Sequence, residues 1–416
     1  MCSLIKGVRA KLLSGTPYQK VIVFTLPLVL LMIIVTYSIV SRAGEQFSEL
    51  AWAFLHGHLS FLTPIGGIGQ DPVLYHGKIY WDDGPFPSIV LMPFVGVLSL
   101  FHAFFYQGYL QWLLILGVIY FVFWLARVLR YSKEDSLVLV LGFTLGSVFM
   151  GVAGLSSSWL FAQVLTTLLL FGALYEFYTR RRWWLLGLLC GCILMTRITA
   201  AAILLFFALE LWQQTDKNLV RKTKPLLQLF LPVALAAVLI GLYNFLRFHG
   251  PFNNGNAYQL ISNDSAEARS LGLFGLVHVP TNLYSALLRG PVTVLRNNTS
   301  WSLKFPYIQN NPYGMSIFIT SPYLLSLFFA KWRSFDRQAR HLLVTVLLCS
   351  LVVLSYYGIG IYQFGYRYSL DFLPELFVLF MIIYRKNHSR LSSGMKLVLL
   401  GSGITNFYLA WPFLFP

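Results

Sequence analysis

Carboxylates are scarce in this chain, 15 among 416 residues, and five of them fall in the stretch Ser41–Phe101: Glu45, Glu49, Asp71, Asp82 and Asp83. A carboxylate placed beside a hydroxyl takes its proton as a general base, and cations nearby stabilise a departing phosphate. The cations that accompany these acids are Lys78 in the same stretch, Arg197 inside an apolar run, Arg247 and Arg367. Arg forks match phosphate oxygens in pairs, so Arg197, Arg247, Arg367 and Lys78 are the candidate phosphate holders. Glu45, Asp71 and Asp83 are the catalytic candidates, with His56, Tyr80, Trp81, Tyr366 and Tyr368 expected to line the substrate. A base with cations against a phosphate leaving group is a kit for glycosyl transfer.

Composition narrows the setting. The chain is 57% hydrophobic and 11% charged, with a mean hydropathy of +0.67. Soluble domains average about 25% charged residues, so this is a polytopic membrane protein. The net charge of +16 reads as Lys and Arg of cytoplasmic loops rather than as a nucleic-acid surface. Cys190, Cys192 and Cys349 lie in apolar runs and Cys2 at the N-terminus, so no disulfide framework is expected. No Walker loop, G-x-S-x-G elbow or H-E-x-x-H stands in the sequence. His56 and His58, two residues apart, point different ways on a helix, so no metal ligands are assigned. No cofactor is assigned either, and a divalent metal remains possible.

The elements that must hold these groups follow from hydropathy and charge. Lys6, Arg9, Lys11 and Lys20 precede the first apolar run, residues 21–41, which places the N-terminus in the cytoplasm. That run lacks a small-residue cleavage site and reads as a retained span. Residues 42–106 then form a first external loop. Within it Glu45, Glu49, Trp52 and His56 share one helical stripe, and Phe47, Leu50, Ala51 and Phe54 the opposite one. Such a pattern suits a helix lying in the interface with its apolar face toward lipid. Thr63–Asp71, with Pro64 and three glycines, reads as a loop. Residues 85–105 are apolar enough to cross, but Pro85, Pro87 and Pro93 disfavour a straight helix. Counting them as a span also puts most later Lys and Arg clusters outside, so a shallow, non-spanning helix is expected.

The later spans are then 107–129, 137–155, 159–179, 183–196, 198–212, 225–247, 314–331, 341–360, 370–384 and 395–412. The pair 183–196 and 198–212 is too short to cross twice, since each limb covers about 21 Å of a ~30 Å core. Its turn, Thr196–Thr199, should lie within the membrane's outer half against a protein cavity, where an Arg is costly unless it functions. Residues 248–312 form a second large external loop, polar and aromatic. The expectation is one integral domain over residues 1–416, an all-α polytopic membrane protein of about eleven transmembrane helices with interfacial helices in its first external loop.

Several phrases carry a resemblance. They are Ala53–Leu59, Asp71–Trp81, Gly84-Pro-Phe-Pro, Thr196-Arg197, Tyr243–Phe252 and Gly365–Asp371. In this order and sidedness the chain resembles GT-C integral membrane glycosyltransferases, the group of bacterial aminoarabinose transferases and protein O-mannosyltransferases. The resemblance implies transfer of a sugar from a polyprenyl phosphate carrier, usually with inversion, to a lipid, glycan or protein acceptor on the non-cytoplasmic face of a plasma membrane such as the bacterial inner membrane. Its partners would be that lipid-linked sugar and membrane lipids, with no nucleic acid. Glu45 stands nearest the family's acid after the first span, although Gly44-Glu45 replaces the usual Asp or Asp-Glu. Thr196-Arg197 falls where aminoarabinose transferases have a Thr-Lys pair facing lipid phosphate. A non-catalytic flippase or transporter of lipid-linked saccharides is the alternative. It requires ionisable groups in several helices and perhaps a repeat, whereas Arg197 is the one embedded cation found and no repeat is visible.

Overall fold

A computed structural model describes residues 17–41, 44–63, 71–213, 219–296 and 302–414, and side chains within 25–37, 44–63, 71–213, 223–296 and 302–414. The N-terminal Lys6, Arg9 and Lys11 and most of the Gly-rich stretch lie outside the described residues. The chain is mostly helical, and five of its described helices are long and apolar enough to cross a membrane: Gln107–Val128, Ser158–Thr179, Thr223–Phe248, Arg337–Leu354 and Ser393–Leu414. This is an integral membrane protein. Thr223–Phe248 buries only 17% of its most apolar window, as a helix facing lipid on most sides should.

Helix α1 (Pro17–Ser41) leads into α2 (Gln46–Leu55), then a hairpin of β1 (Val73–Tyr75) and β2 (Lys78–Tyr80), then α3 (Phe86–Ser99). The hairpin turns at His76-Gly77, both with positive φ (47° and 73°), the geometry of the two-residue turns that match strand twist. It departs from the all-α expectation, as does a second ribbon in the 248–312 loop, Val292–Leu295 with Leu303–Gln309. Alternation in Val73–Tyr80 around His-Gly was the available signal.

Helix α2 differs from expectation in what its apolar face meets. Phe47 packs edge-on to Trp81 (6.0 Å) and against Phe161 (6.2 Å), and Phe47, Leu50 and Ala51 are fully buried. That face docks on protein, not lipid: Trp81 and the helix Ser158–Thr179 cover it. Helix α3, 14 residues long, reaches about 21 Å and cannot cross alone. It leaves Ile89, Phe94, Val97, Leu100 and Phe101 exposed.

Two expected spans are interrupted. Residues 137–155 divide into α5 (Lys133–Thr144) and α6 (Phe149–Gly154), after α4 (Gln107–Val128). At the break a Cβ on Gly146 would meet Ser402 Oγ at 2.4 Å, so the last helix sits directly on the backbone. From that helix Asn406 Nδ2 donates to the carbonyls of Leu145 (3.0 Å) and Ser147 (3.3 Å), satisfying groups that a broken helix leaves bare. Residues 314–331 divide into Ile317–Thr320 and a 3₁₀ stretch, Pro322–Phe329. Pro322 removes a donor, and Ser321 before it is pushed out of the helical region (φ −138°, ψ 62°). The expected short pair is present as α8 (Trp183–Leu194) and α9 (Ile203–Trp212), following α7 (Ser158–Thr179) and preceding α10 (Leu219–Phe248).

Candidate active site

Four pieces of chain meet beyond the hairpin: the strand exit Trp81–Gly84, the turn between α8 and α9, the end of α10, and the segment Arg367–Asp371. The first contact is a backbone one. Phe86 N–H donates to Met195 O (3.2 Å), and a Cβ on Gly84 would fall 2.0 Å from the same oxygen. Only glycine lets Asp82-Asp83-Gly84 lie flat against the turn that carries Arg197.

Arg197 is paired. Its Nε and Nη2 donate to Asp371 Oδ1 (2.6 Å) and Oδ2 (3.0 Å), and the Thr199 hydroxyl donates to Asp371 Oδ2. Asp371 is 1% exposed, so this bidentate fork fastens the turn to the Arg367–Asp371 segment. The Arg197 side chain keeps 15% of its surface open. Tyr368 lies beside two guanidiniums, 5.8 Å from Arg197 and 4.8 Å from Arg367. Arg367 itself makes one long contact to Tyr368 OH (3.4 Å), and its buried Nε has no hydrogen-bond partner. It is the cation of this group with donors to spare.

Arg247, 3% exposed, is spent differently. It donates to Trp81 O (2.5 Å) and Asn244 Oδ1 (2.9 Å) and lies 3.7 Å over the Tyr243 ring. It therefore pins the strand exit to α10. Gln259 of the second loop donates to Asp82 Oδ2 (2.7 Å) and to Asp71 O (3.4 Å), while Arg269 donates to Gln259 Oε1, Asn256 O (2.5 Å) and Tyr357 OH (2.6 Å). The 42–106 and 248–312 loops thus close on each other across the acids.

Burial raises all three Asp carboxyls above their ordinary range. At Asp83 the rise is opposed by the Arg197 and Arg367 charges, and at Asp71 by Arg367 and Arg269. Asp82 is raised well above, by burial and then by repulsion from Asp83 and Asp71, with Arg247 opposing. Asp71 and Asp83 therefore share Arg367. Glu45 stands in other company. Gln107 N–H donates to its Oε2 (2.8 Å), its Oε1 is buried without a partner, and burial lifts its pKa to about 8, with the Glu49 charge adding to the rise.

Of the residues expected at the site, Asp71, Asp83, Arg197, Arg367 and Tyr368 come together, and Arg247 and Tyr80 form the adjoining wall. Trp81 and Tyr366 are wholly buried, the latter donating to Asn282 Oδ1 (3.0 Å), so they are floor rather than lining. Lys78 is exposed at the hairpin turn, and His56, also exposed, contacts Trp52 O through Nδ1 (2.9 Å). Neither reaches the cluster by any contact seen. Among the described residues no three His, Cys, Asp or Glu side chains are arranged to hold a metal. Asp82, Thr199, Gln259, Arg269 and Asp371 were missed as site residues. Asp82 adjoins Asp83, Thr199 closes the Thr196–Thr199 turn and Asp371 ends the Gly365–Asp371 phrase, whereas Gln259 and Arg269 carried no local signal.

No protein-family model matches the sequence, and no curated protein is significantly similar to it. The fold does have solved counterparts. ArnT from Cupriavidus metallidurans, solved bound to undecaprenyl phosphate, matches with a TM-score of 0.53 at 11% identity over 90% of this chain. The match spans 62% of ArnT's own length. The archaeal oligosaccharyltransferase AglB from Archaeoglobus fulgidus, solved with an inhibitory peptide and a dolichol-phosphate, matches at 14% identity over 94% of this chain and 55% of its own, with a TM-score of 0.41, too distant to argue from. Identity this low speaks to architecture alone: the chain shares its fold with ArnT.

Proposed function

We propose that this protein transfers a sugar from a polyprenyl-phosphate donor to a hydroxyl acceptor at the non-cytoplasmic face of a plasma membrane, with inversion. The reading includes a cytoplasmic N-terminus, about eleven crossings of the membrane, counting interrupted ones, and a bacterial inner membrane as the setting. The observation that carries it is the field of Arg197 and Arg367 acting on the buried Asp83, where Gly84 lies against the turn between α8 and α9. A displacement at the anomeric carbon needs a base and a phosphate-holding cation within one sugar of each other, and this is where acid and unspent cation adjoin.

In the proposed step, the Asp83 carboxylate accepts the proton of the acceptor hydroxyl as its oxygen bonds to the anomeric carbon. The bond from that carbon to the phosphate oxygen breaks, and the polyprenyl phosphate departs with the electron pair. Arg367 receives the growing phosphate charge through its unpartnered Nε and Arg197 through its open edge. Asp71 divides its influence between Arg367 and Arg269 and holds the first of these in place. The raised Asp83 pKa gives activity a rising limb above the usual ~3.9 of a free Asp.

The test does not require the sugar to be known. Undecaprenyl phosphate is titrated into the full chain in nanodiscs, wild type against Arg367→Ala. A loss of about 100-fold in affinity is expected, the scale of a preorganised charge-assisted donor. Equal affinity removes Arg367 from the site and the proposed reaction with it.

A further inference from the structure

Helix α4 joins two chemically different ends of the molecule. Its first residue, Gln107, binds Glu45, and its last turn carries Arg127. Twenty-two residues at about 1.5 Å each separate them by roughly 33 Å, the thickness of a membrane core. At the Arg127 end, α4, the start of α5 and the chain between α15 (Leu373–Asn387) and α16 (Ser393–Leu414) enclose a cavity of about 650 Å3, lined among others by Arg127, Arg130, Arg390, Lys396, Glu134 and Asp135; α11–α14 are Asn263–Ser270, Val279–Leu287, Ile317–Thr320 and Arg337–Leu354. A volume of this size suits a small ligand.

The charges in it do not cancel. Both acids are taken by one cation, since Lys396 Nζ lies 2.8 Å from Asp135 and 3.2 Å from Glu134. Asp135 also accepts from Leu391 N–H (3.2 Å). Arg127 spends one Nη1 on Tyr131 O. No carboxylate among the described residues pairs with Arg127, Arg130 or Arg390, and the last two are exposed. Three guanidiniums around an open space are a fork set for an oxyanion. On the same helix, exposed Tyr120 and Trp124 sit one to two turns before Arg127, the place of an aromatic belt at a membrane–water boundary.

We propose that this cavity binds a phosphate group, as carried by an anionic phospholipid head group, at the membrane face opposite the acid cluster. Arg130 and Arg390 supply the forks, Arg127 the inner wall, and the Tyr120–Trp124 face borders the acyl chains. The site is independent of the sugar-transfer reading.

Native mass spectrometry of the full chain reads the number of phosphatidylglycerol and phosphatidylcholine molecules retained, with inorganic phosphate titrated separately by thermal shift. The double variant Arg130→Gln, Arg390→Gln is compared with Lys331→Gln, Arg333→Gln, which removes equal charge from another exposed loop. The expected result is at least a tenfold loss of phosphatidylglycerol in the first and under twofold in the second, with phosphatidylcholine unaffected. If inorganic phosphate stabilises wild type and not the first variant, without lipid selectivity, the phosphate site stands and its ligand is soluble. If both variants keep phosphatidylglycerol and phosphate as wild type does, the site does not exist.

Discussion

Glu45 and Asp83 lie in the same stretch between α1 and α4 and have the same functional group, yet their surroundings differ in kind. Glu45 is held by a backbone N–H with no cation among the causes of its shift, and burial, the largest of them, lifts its pKa to about 8. At Asp83 burial is countered by two guanidiniums. A carboxyl in the first setting is neutral at pH 7 and stores a structural proton. In the second, the two guanidiniums oppose the rise that burial imposes, and they are the charges that a phosphate would use. Position along the chain favours Glu45 as the reactive acid, and electrostatic company favours Asp83. Environment decides which of two carboxyls does acid–base work.

The comparison is open to attack at its supports. Asp371→Asn takes away the charge that Arg197 pairs with and leaves a buried cation uncompensated. A loss of about 3–5 kcal/mol is expected, read as a lowered unfolding midpoint in detergent, and undecaprenyl phosphate affinity should fall with it. Gly84→Ala sets a methyl against Met195 O at 2.0 Å and must push the Asp82–Asp83 segment off the turn. A cost of about 1–3 kcal/mol is expected, together with weakened turnover at unchanged Asp83. An unchanged melting curve in Gly84→Ala would mean that the two segments are not packed as described.

The smallest effect concerns Glu45. Its folded pKa of about 8 exceeds the ordinary 4.5, so between these values the folded chain holds a proton that the unfolded chain has lost. Stability conferred by that proton is full below the lower value and falls away as pH rises toward the upper one. Glu45→Gln keeps the neutral form at every pH. Its unfolding midpoint should therefore fall less between pH 5 and 8 than that of wild type, by about a few °C. Parallel curves would place Glu45 in an ionised, solvated site.

Much of this arrangement was legible in the sequence. Hydropathy and proline placement marked the 14-residue α3 and the short pair α8 and α9, because those signals are local. The Arg197 turn was visible as a charge within an apolar run. Its partner was not, since Asp371 lies 174 positions away and no local pattern joins the two. Gln259 and Arg269 were hidden for the same reason: they reach the acids only after the 248–312 loop folds over the 42–106 loop. The broken helix at Gly146 depends on Asn406, another distant residue, and hydropathy alone reads the stretch as continuous. Chain order pointed to Glu45 as a base, but it says nothing about which carboxyl a guanidinium will face.

The most direct test measures release of undecaprenyl phosphate from a lipid-linked sugar donor by Asp83→Asn and Glu45→Gln side by side, each shown to be folded in nanodiscs. Loss of a general base costs about 10²–10⁴-fold in rate. Asp83→Asn is expected to fall in that range while Glu45→Gln stays within about threefold of wild type. An inactive Glu45→Gln beside a fully active Asp83→Asn would contradict the assignment and return the chemistry to the acid that follows the first span.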